Sequence, residues 1–488
     1  MKKILSVILA AGMLLSMAGC SRVEQVSNIT SEDVQNVVSG IDEAVSNLNQ
    51  SAEDFANAAN EIADAAGDAV SAAKDDIAEG VSEIVDDVKE DISGAVTGAT
   101  FEERYKQAAA GEVVDGIVKV RYELPAVVPE NESLQFIQDL EIGYNLGNTF
   151  DANNCTWLTD ELDYETAWCG AKTTRELIVA LKEAGFKTIR IPVSWHNHVD
   201  ENYRISEAWM ARVQEVVDWA YDEGFYVIIN IHHDNEADFE YPSYDKLENS
   251  KKYVTAIWEQ IAERFADYDE HLIFETMNEP RQVGTDHEWW IGDTESDVAK
   301  ECFDCVNQLN QVIVDTIRAN GKGYNTSRYI MAPPYCANPD YALVKDFKLP
   351  EDPDATAENR IILSIHAYTP YSFALEQPGV KEFSIAEGKG TGDIESFMKA
   401  IYAKFVLKGT PVLIGEFGAL DKDNTDSRMQ FTAYYIATAE KYGFSAVWWD
   451  NNAYHTDGEN FRLIDRANLT WTYPEIVDQM MYYSGNED

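Results

Sequence analysis

Leu272-Ile273-Phe274-Glu275-Thr276-Met277-Asn278-Glu279-Pro280 is a mostly apolar run that ends in a carboxylate and a proline. A second run, Pro411-Val412-Leu413-Ile414, leads into Gly415-Glu416-Phe417-Gly418. Short apolar runs of this kind read as strands buried on both faces. A carboxylate just past the C-terminal end of such a strand is where a parallel α/β barrel carries its reactive groups.

Outward from these two runs the same texture repeats. Strands are expected at 142–146, 188–192, 226–232, 272–277, 329–332, 361–366, 412–416 and 446–449. Amphipathic helices are expected at 173–184, 207–223, 251–265, 297–320, 339–347, 394–406, 427–442 and 473–483. Strict alternation of this sort predicts an α/β protein with a (β/α)8 TIM barrel rather than an open doubly wound sheet. No GxGxxG or Walker sequence follows any strand, which argues against nucleotide binding. No cofactor and no metal are expected.

The barrel does not fill the chain. Of the 488 residues, those from 131 to 488 are assigned to the barrel domain. Residues 21–112 hold 21 acidic and 5 basic residues and neither Pro nor Trp. A thin stripe of small apolar residues at helical spacing runs through them, and such helices are marginal without a partner. The segment reads as an acidic spacer, helical or disordered. Residues 113–130 read as a transition with one strand near 117–122. The net charge of −48 repels nucleic acid and other polyanions and suits a neutral ligand. A monomer is expected.

The first twenty residues read as an export signal. Lys2-Lys3 precede an apolar stretch, 4–15, that is shorter than the roughly 20 residues of a membrane span. It ends in Leu15-Ser16-Met17-Ala18-Gly19-Cys20, which resembles a bacterial lipoprotein signal. That resemblance implies that Cys20 is lipidated, is the first mature residue and anchors the protein to the membrane at the cell surface; ordinary secretion is the alternative. Five other cysteines follow. Cys155 and Cys169 flank a Trp-containing loop and are close enough in sequence to bridge. Cys302 and Cys305 have CxxC spacing inside an expected helix, without a second pair or nearby His pair, and read as packing thiols.

The strand ends are polar one after another. They carry Asn145 and Asn148; Arg190, His196 and His198; Asn230, His232, His233 and Asp234; Asn278 and Glu279; His366 and Tyr368; Glu416; and Trp449, Asp450 and Asn451. A purely structural core would place apolar residues there, so this pattern points to a site. Two carboxylates at strand ends are what retaining glycoside hydrolysis uses, one as acid/base and one as nucleophile. Arg190 taken alone reads as a salt bridge to a barrel carboxylate. His232-His233 taken alone reads as a metal pair, but neighbours on a strand face opposite ways. Trp289 and Trp290 suit either packing or stacking on sugar rings.

Seven strings in order, Gly143 to Ala152, Arg190 to Trp195, Asn230 to His233, Asn278-Glu279-Pro280, His366-Ala367-Tyr368, Gly415 to Gly418 and Trp448 to Asn451, resemble glycoside hydrolase family 5. The resemblance covers roughly residues 131–483 and comes nearest to bacterial endoglucanases. It implies retaining hydrolysis of β-1,4-linked polysaccharide of the cellulose, mixed-linkage glucan or xyloglucan type. A mannanase or xylanase on the same scaffold, or a non-catalytic surface glycan-binding protein, are the alternatives. By position, the resemblance makes Glu279 the acid/base and Glu416 the nucleophile. Arg190, under the nucleophile, is expected to keep Glu416 ionised while Glu279 stays protonated. Asn278 is implied to bind the sugar 2-hydroxyl. His232, His366 and Tyr368 are implied as supporting groups and Trp449 as the floor beneath the sugar. Asn148, His233, His198, Trp289 and Trp290 are the expected substrate-binding residues.

Overall fold

The computed structural model describes residues 110–120 and 126–484. The unit described below is Gly111–Lys119 together with Leu124–Asp488. The export signal with Cys20, and the acidic spacer apart from its last three residues, lie outside the described residues.

Eight parallel strands close into a barrel. They are β1 (Ile142–Leu146), β2 (Thr188–Ile191), β3 (Tyr226–Asn230), β4 (Leu272–Glu275), β5 (Ile330–Ala332), β6 (Ile361–His366), β7 (Val412–Phe417) and β8 (Ser445–Asp450). Each pairs with its neighbours in chain order, and β8 closes on β1 through Ala446 opposite Ile142. Nearly every strand residue is buried, because helices cover the outside and side chains fill the inside. The outer helices are α1 (Arg175–Glu183), α2 (Glu207–Asp222), α3 (Leu247–Arg264), α4 (Asp297–Asn320), α5 (Pro339–Leu343), α6 (Thr391–Lys404), α7 (Thr425–Lys441) and α8 (Pro474–Tyr483). Their ends follow local chemistry. Ser296 caps α4 by accepting from the Ala299 N–H, and Gly321 ends it at a φ of 64°, where a side chain would be strained. Cys302 and Cys305 lie on the buried face of α4, as packing thiols would. Cys155 and Cys169 are both free and buried, so the bridge between them does not form.

Several short elements went unread in the sequence, and one of them closes the barrel floor. A short helix, Glu132–Asp139, precedes β1 and plugs the N-terminal end of the barrel. Its Phe136 and Ile137, with Leu140, pack on Ile228, Ile273, Met331, Ile362, Leu413 and Val447, residues drawn from β3 to β8. Phe136 stacks on Tyr329 with ring centroids 3.8 Å apart. The bottom of the barrel is therefore sealed, and only the C-terminal end is left to hold a ligand.

Residues 113–119 of the expected transition segment also belong to this unit. Val113–Val114 and Ile117–Val118 form a small antiparallel hairpin. The Val118 N–H donates to Gln479 of α8 at 2.8 Å, and the Tyr483 hydroxyl donates to the Val118 carbonyl at 2.6 Å. At the opposite end of the barrel, Arg466 ties β1 to β8. Its guanidinium donates to Tyr144, to the Gly147 carbonyl, to Thr149 and to Asp450.

Candidate active site

The site is built on Arg190, which ends its side chain inside the barrel with no exposure to water. All five of its N–H groups have partners. Nε donates to Glu275 at 2.8 Å, and Nη2 reaches the same carboxylate at 2.7 Å. Nη1 donates to Glu416 at 2.8 Å and to Asn145 at 2.9 Å, and Nη2 donates to Asn278 at 2.7 Å. Four strands, β1, β2, β4 and β7, and the residues just past β4 are thus joined through one planar fork. Burial opposes the Arg190 charge, but Glu275 and Glu416 outweigh it and its pKa rises.

Glu275 was not singled out in the sequence, where it sits inside a run read as apolar. It is fully buried and accepts from Arg190, from Ser364 at 2.7 Å and from Asn230 at 2.9 Å. The ordinary reading of Arg190, a salt bridge to a barrel carboxylate, is therefore right for Glu275. The Arg190–Glu416 pair exists beside it. The available signal was a lone charge within a buried run, since such a group needs a partner.

Above this base lie the two glutamates. Glu416 accepts from the Tyr368 hydroxyl at 2.9 Å. Glu279 is held by Nδ1 of His366 at 2.9 Å, and the same nitrogen is 3.6 Å from Glu416. A carboxylate oxygen of Glu279, one of Glu416 and a ring nitrogen of His366 all lie within 4.8 Å of one another. That is near the 5–5.5 Å of retaining glycosidases and well below the roughly 6.5–9.5 Å of inverting ones.

The pKa values of the two carboxyls shift in opposite directions. Burial pushes both carboxyls up. In Glu279 the His366 hydrogen bond and charge, aided by Arg281, outweigh burial, and its pKa falls. In Glu416 burial prevails over the lowering influence of His366 and Arg190, and its pKa rises. Burial also opposes charge on His366, but the two glutamates raise its pKa. The reason lies in the wiring: Arg190 spends much of its charge on Glu275, while His366 is hydrogen-bonded to Glu279. The three groups titrate as a unit.

The remaining expected residues divide into two groups. The six-membered ring of the Trp449 indole comes close to Gly147, where an added Cβ would sit 2.7 Å from it, so only glycine allows this approach. Its ring runs parallel to that of His232, 5.8 Å away. Asn148 adopts a φ of 56°, and its N–H donates to Asp151. His233 lies 3.9 Å from Asp151 and beside Trp168. Trp289 and Trp290 are more than half exposed, and Trp289 carries the Arg281 guanidinium on its ring at 3.9 Å. Arg281 also donates to the Glu279 carbonyl at 3.0 Å, a link that sequence reading missed although it directly follows Pro280. His198 is a correction. It is buried, stacks on Trp209 at 3.7 Å with the edge of Tyr164 against it, and none of its contacts reaches the glutamates. Packing aromatics around a strand-end histidine leave no pattern in the sequence that separates it from a ligand-facing one.

Among the described residues, two groups have the composition to hold a cation: Glu279, His366 and Glu416, and Asp151, His232 and His233. The second corrects an expectation. β3 ends at Asn230, so the alternation that would turn His232 and His233 apart does not extend to them.

The family model for Cellulase (glycosyl hydrolase family 5) matches residues 150–455. Endoglucanase A of Clostridium longisporum is 41% identical over 352 residues, covering 71% of this chain and 65% of that protein. Endoglucanase A of Ruminococcus albus is 38% identical, covering 72% of this chain and 93% of that protein. The match spans a smaller part, 41%, of the cellulase/esterase CelE of Acetivibrio thermocellus. Among solved structures, a family 5 lichenase from Caldicellulosiruptor sp. F32 is 50% identical with a TM-score of 0.73, over 75% of this chain and 99% of that one. A mutant of it, in complex with cellotetraose, is 49% identical with a TM-score of 0.73, over 78% of this chain and 100% of that one. The closed barrel, the paired glutamates on their arginine base and the extent of these matches together place the chain in glycosyl hydrolase family 5.

Proposed function

We propose that the chain is a retaining endo-β-1,4-glucanase acting on cellulose-type and mixed-linkage glucans. One observation carries the mechanism: oxygens of Glu279 and Glu416 within 4.8 Å, with Glu416 fixed from below by Arg190. The names of the relatives, endoglucanases and a lichenase, support the substrate class.

In the first step a Glu416 oxygen attacks the anomeric carbon. The glycosidic C–O bond breaks, and the leaving oxygen takes a proton from the Glu279–His366 pair through Glu279. A glycosyl ester on Glu416 results. In the second step Glu279 takes a proton from water, the water oxygen attacks the same carbon, and Glu416 leaves as a carboxylate. Two inversions give net retention. Asn278 is oriented for its part, because its Oδ1 accepts from Arg190 and its Nδ2 is left to donate to the sugar. Tyr368 and Arg190 hold the two Glu416 oxygens in place before the charge on them changes, which is preorganised electrostatic stabilisation.

The sequence also supports a location. We propose export and lipid attachment at Cys20, on the strength of Lys2-Lys3, the apolar stretch and the residues up to Cys20. Labelled fatty acid should enter the full chain and be lost in Cys20→Ala; an unlabelled wild type found only in the medium would refute the anchor.

Initial rates on barley β-glucan, carboxymethyl-cellulose, xyloglucan, glucomannan and xylan test the substrate class, and the glucans should be fastest. Glu416→Ala should be inactive on all of them. Glu279→Ala should keep measurable glycosylation of an aryl glycoside whose leaving group needs no proton. Equal collapse of both variants on that substrate would refute the division of roles. A faster rate on xylan or on a mannan would refute the glucan assignment.

Removing the Arg190 charge takes away an influence that lowers the Glu416 pKa. The acidic limb of the kcat/KM–pH profile should therefore move to higher pH in Arg190→Met, with kcat down at least about a hundredfold. Arg190→Lys should recover part of both, since it restores charge but not the planar fork. An unmoved acidic limb in folded Arg190→Met would show that Arg190 does not set the ionisation of Glu416.

A further inference from the structure

Asn230 closes β3 on a wired amide. Its Oδ1 accepts from the Val193 N–H at 3.1 Å, a donor that cannot be anything else. Its Nδ2 donates to Glu275 at 2.9 Å, on the carboxylate that Arg190 also holds. These two contacts fix which end of the amide is nitrogen. The Asn230 backbone is pinned as well, since its carbonyl accepts from the Trp195 indole N–H at 2.8 Å. The second hydrogen of Nδ2 then meets Nδ1 of His232, 3.1 Å away. A nitrogen that faces a donor must offer a lone pair, so the ring proton belongs on Nε2.

We propose that Asn230 is a positioning residue that locks His232 in its Nε2–H tautomer, so that the cleft meets the sugar with a hydrogen-bond donor at this point. The proposal rests on the glycosidase reading for its ligand, the hydroxyl oxygens of a bound sugar, but not for the tautomer itself. Burial, followed by the neighbouring His233 and Arg190, holds His232 well below the usual histidine range, so the ring is neutral and has one proton to place. The same lock bears on the cation-holding cluster. With Nδ1 taken by Asn230 and Nε2 protonated, His232 has no lone pair left for an ion beside Asp151 and His233. A sugar hydroxyl accepts what a cation cannot use.

The chain from Arg190 through Glu275 and Asn230 to His232 thus sets two features at once. One end of the chain places the charge under Glu416. The other fixes the polarity of a ring that lies parallel to Trp449.

Long-range 1H–15N spectra of the full chain, labelled with 15N-histidine at pH 7, read the tautomer directly. The sequence holds 8 histidines, and the signals lost in His232→Gln identify the ring. The wild type should show a bare Nδ1 and a protonated Nε2. Asn230→Leu removes the donor at similar volume. Its His232 should shift to a mixture or to Nδ1–H, with kcat/KM down about tenfold. A wild-type ring protonated on Nδ1, or on both nitrogens, overturns the proposal, as does a folded Asn230→Leu that keeps pure Nε2–H. A wild type with the expected tautomer that hydrolyses no β-glucan would refute the proposed function and leave the lock standing.

Discussion

Arg190 is a full positive charge buried out of reach of water, and the rest of the site is arranged around that fact. Removing such a group from water costs several kcal/mol even after the surroundings relax. Two carboxylates and two amide oxygens take up its five N–H groups, so none is orphaned. The arrangement has consequences for each partner. Glu416 cannot rotate without leaving a donor unpaired. Asn278 and Asn145 must present their oxygens to the guanidinium, which settles where their NH2 groups go. Asn145 uses its own to donate to the Gly415 carbonyl, one residue before Glu416.

A second charge is needed for balance. With Glu416 alone, an arginine would hold that carboxylate strongly ionised and leave no carboxylate partner for the rest of its fork. Glu275 takes up part of the charge and, through Asn230, passes hydrogen-bond direction on to His232. His366 makes the complementary contribution from the other side, tied to Glu279 and within reach of Glu416. Glu279, Glu416 and His366 therefore titrate together above the Arg190–Glu275 base, and their pKa values belong to the set rather than to single residues.

Much of the barrel was legible in the sequence because its signals are local. Runs of apolar residues at 142–146 and 361–366 match β1 and β6 to the residue, and α4 matches at both ends. Glu279 and Glu416 were legible because they follow such runs. Glu275 was hidden because it interrupts a run and resembles noise until Arg190 is placed against it. The plugging helix, Glu132–Asp139, was hidden because it is only eight residues long and its apolar positions make sense only against the barrel floor. His198 was misread for the opposite reason. Its position past β2 is that of a ligand-facing residue, and only the stack on Trp209 shows otherwise. The opposite shifts of the two glutamates depend on the sharing of Arg190 and on the His366 contact, neither of which a string of residues can express.

The central claim is that this network holds Glu416 and Glu279 close enough for a covalent, double-displacement reaction. The anomeric configuration of the first product tests it most directly. Proton NMR during the first minutes of β-glucan hydrolysis should show the β-anomer appearing first, with the α-anomer growing in later by mutarotation. The α-anomer appearing first would contradict the account, because it would require a water between the carboxylates and a wider gap than the structure has.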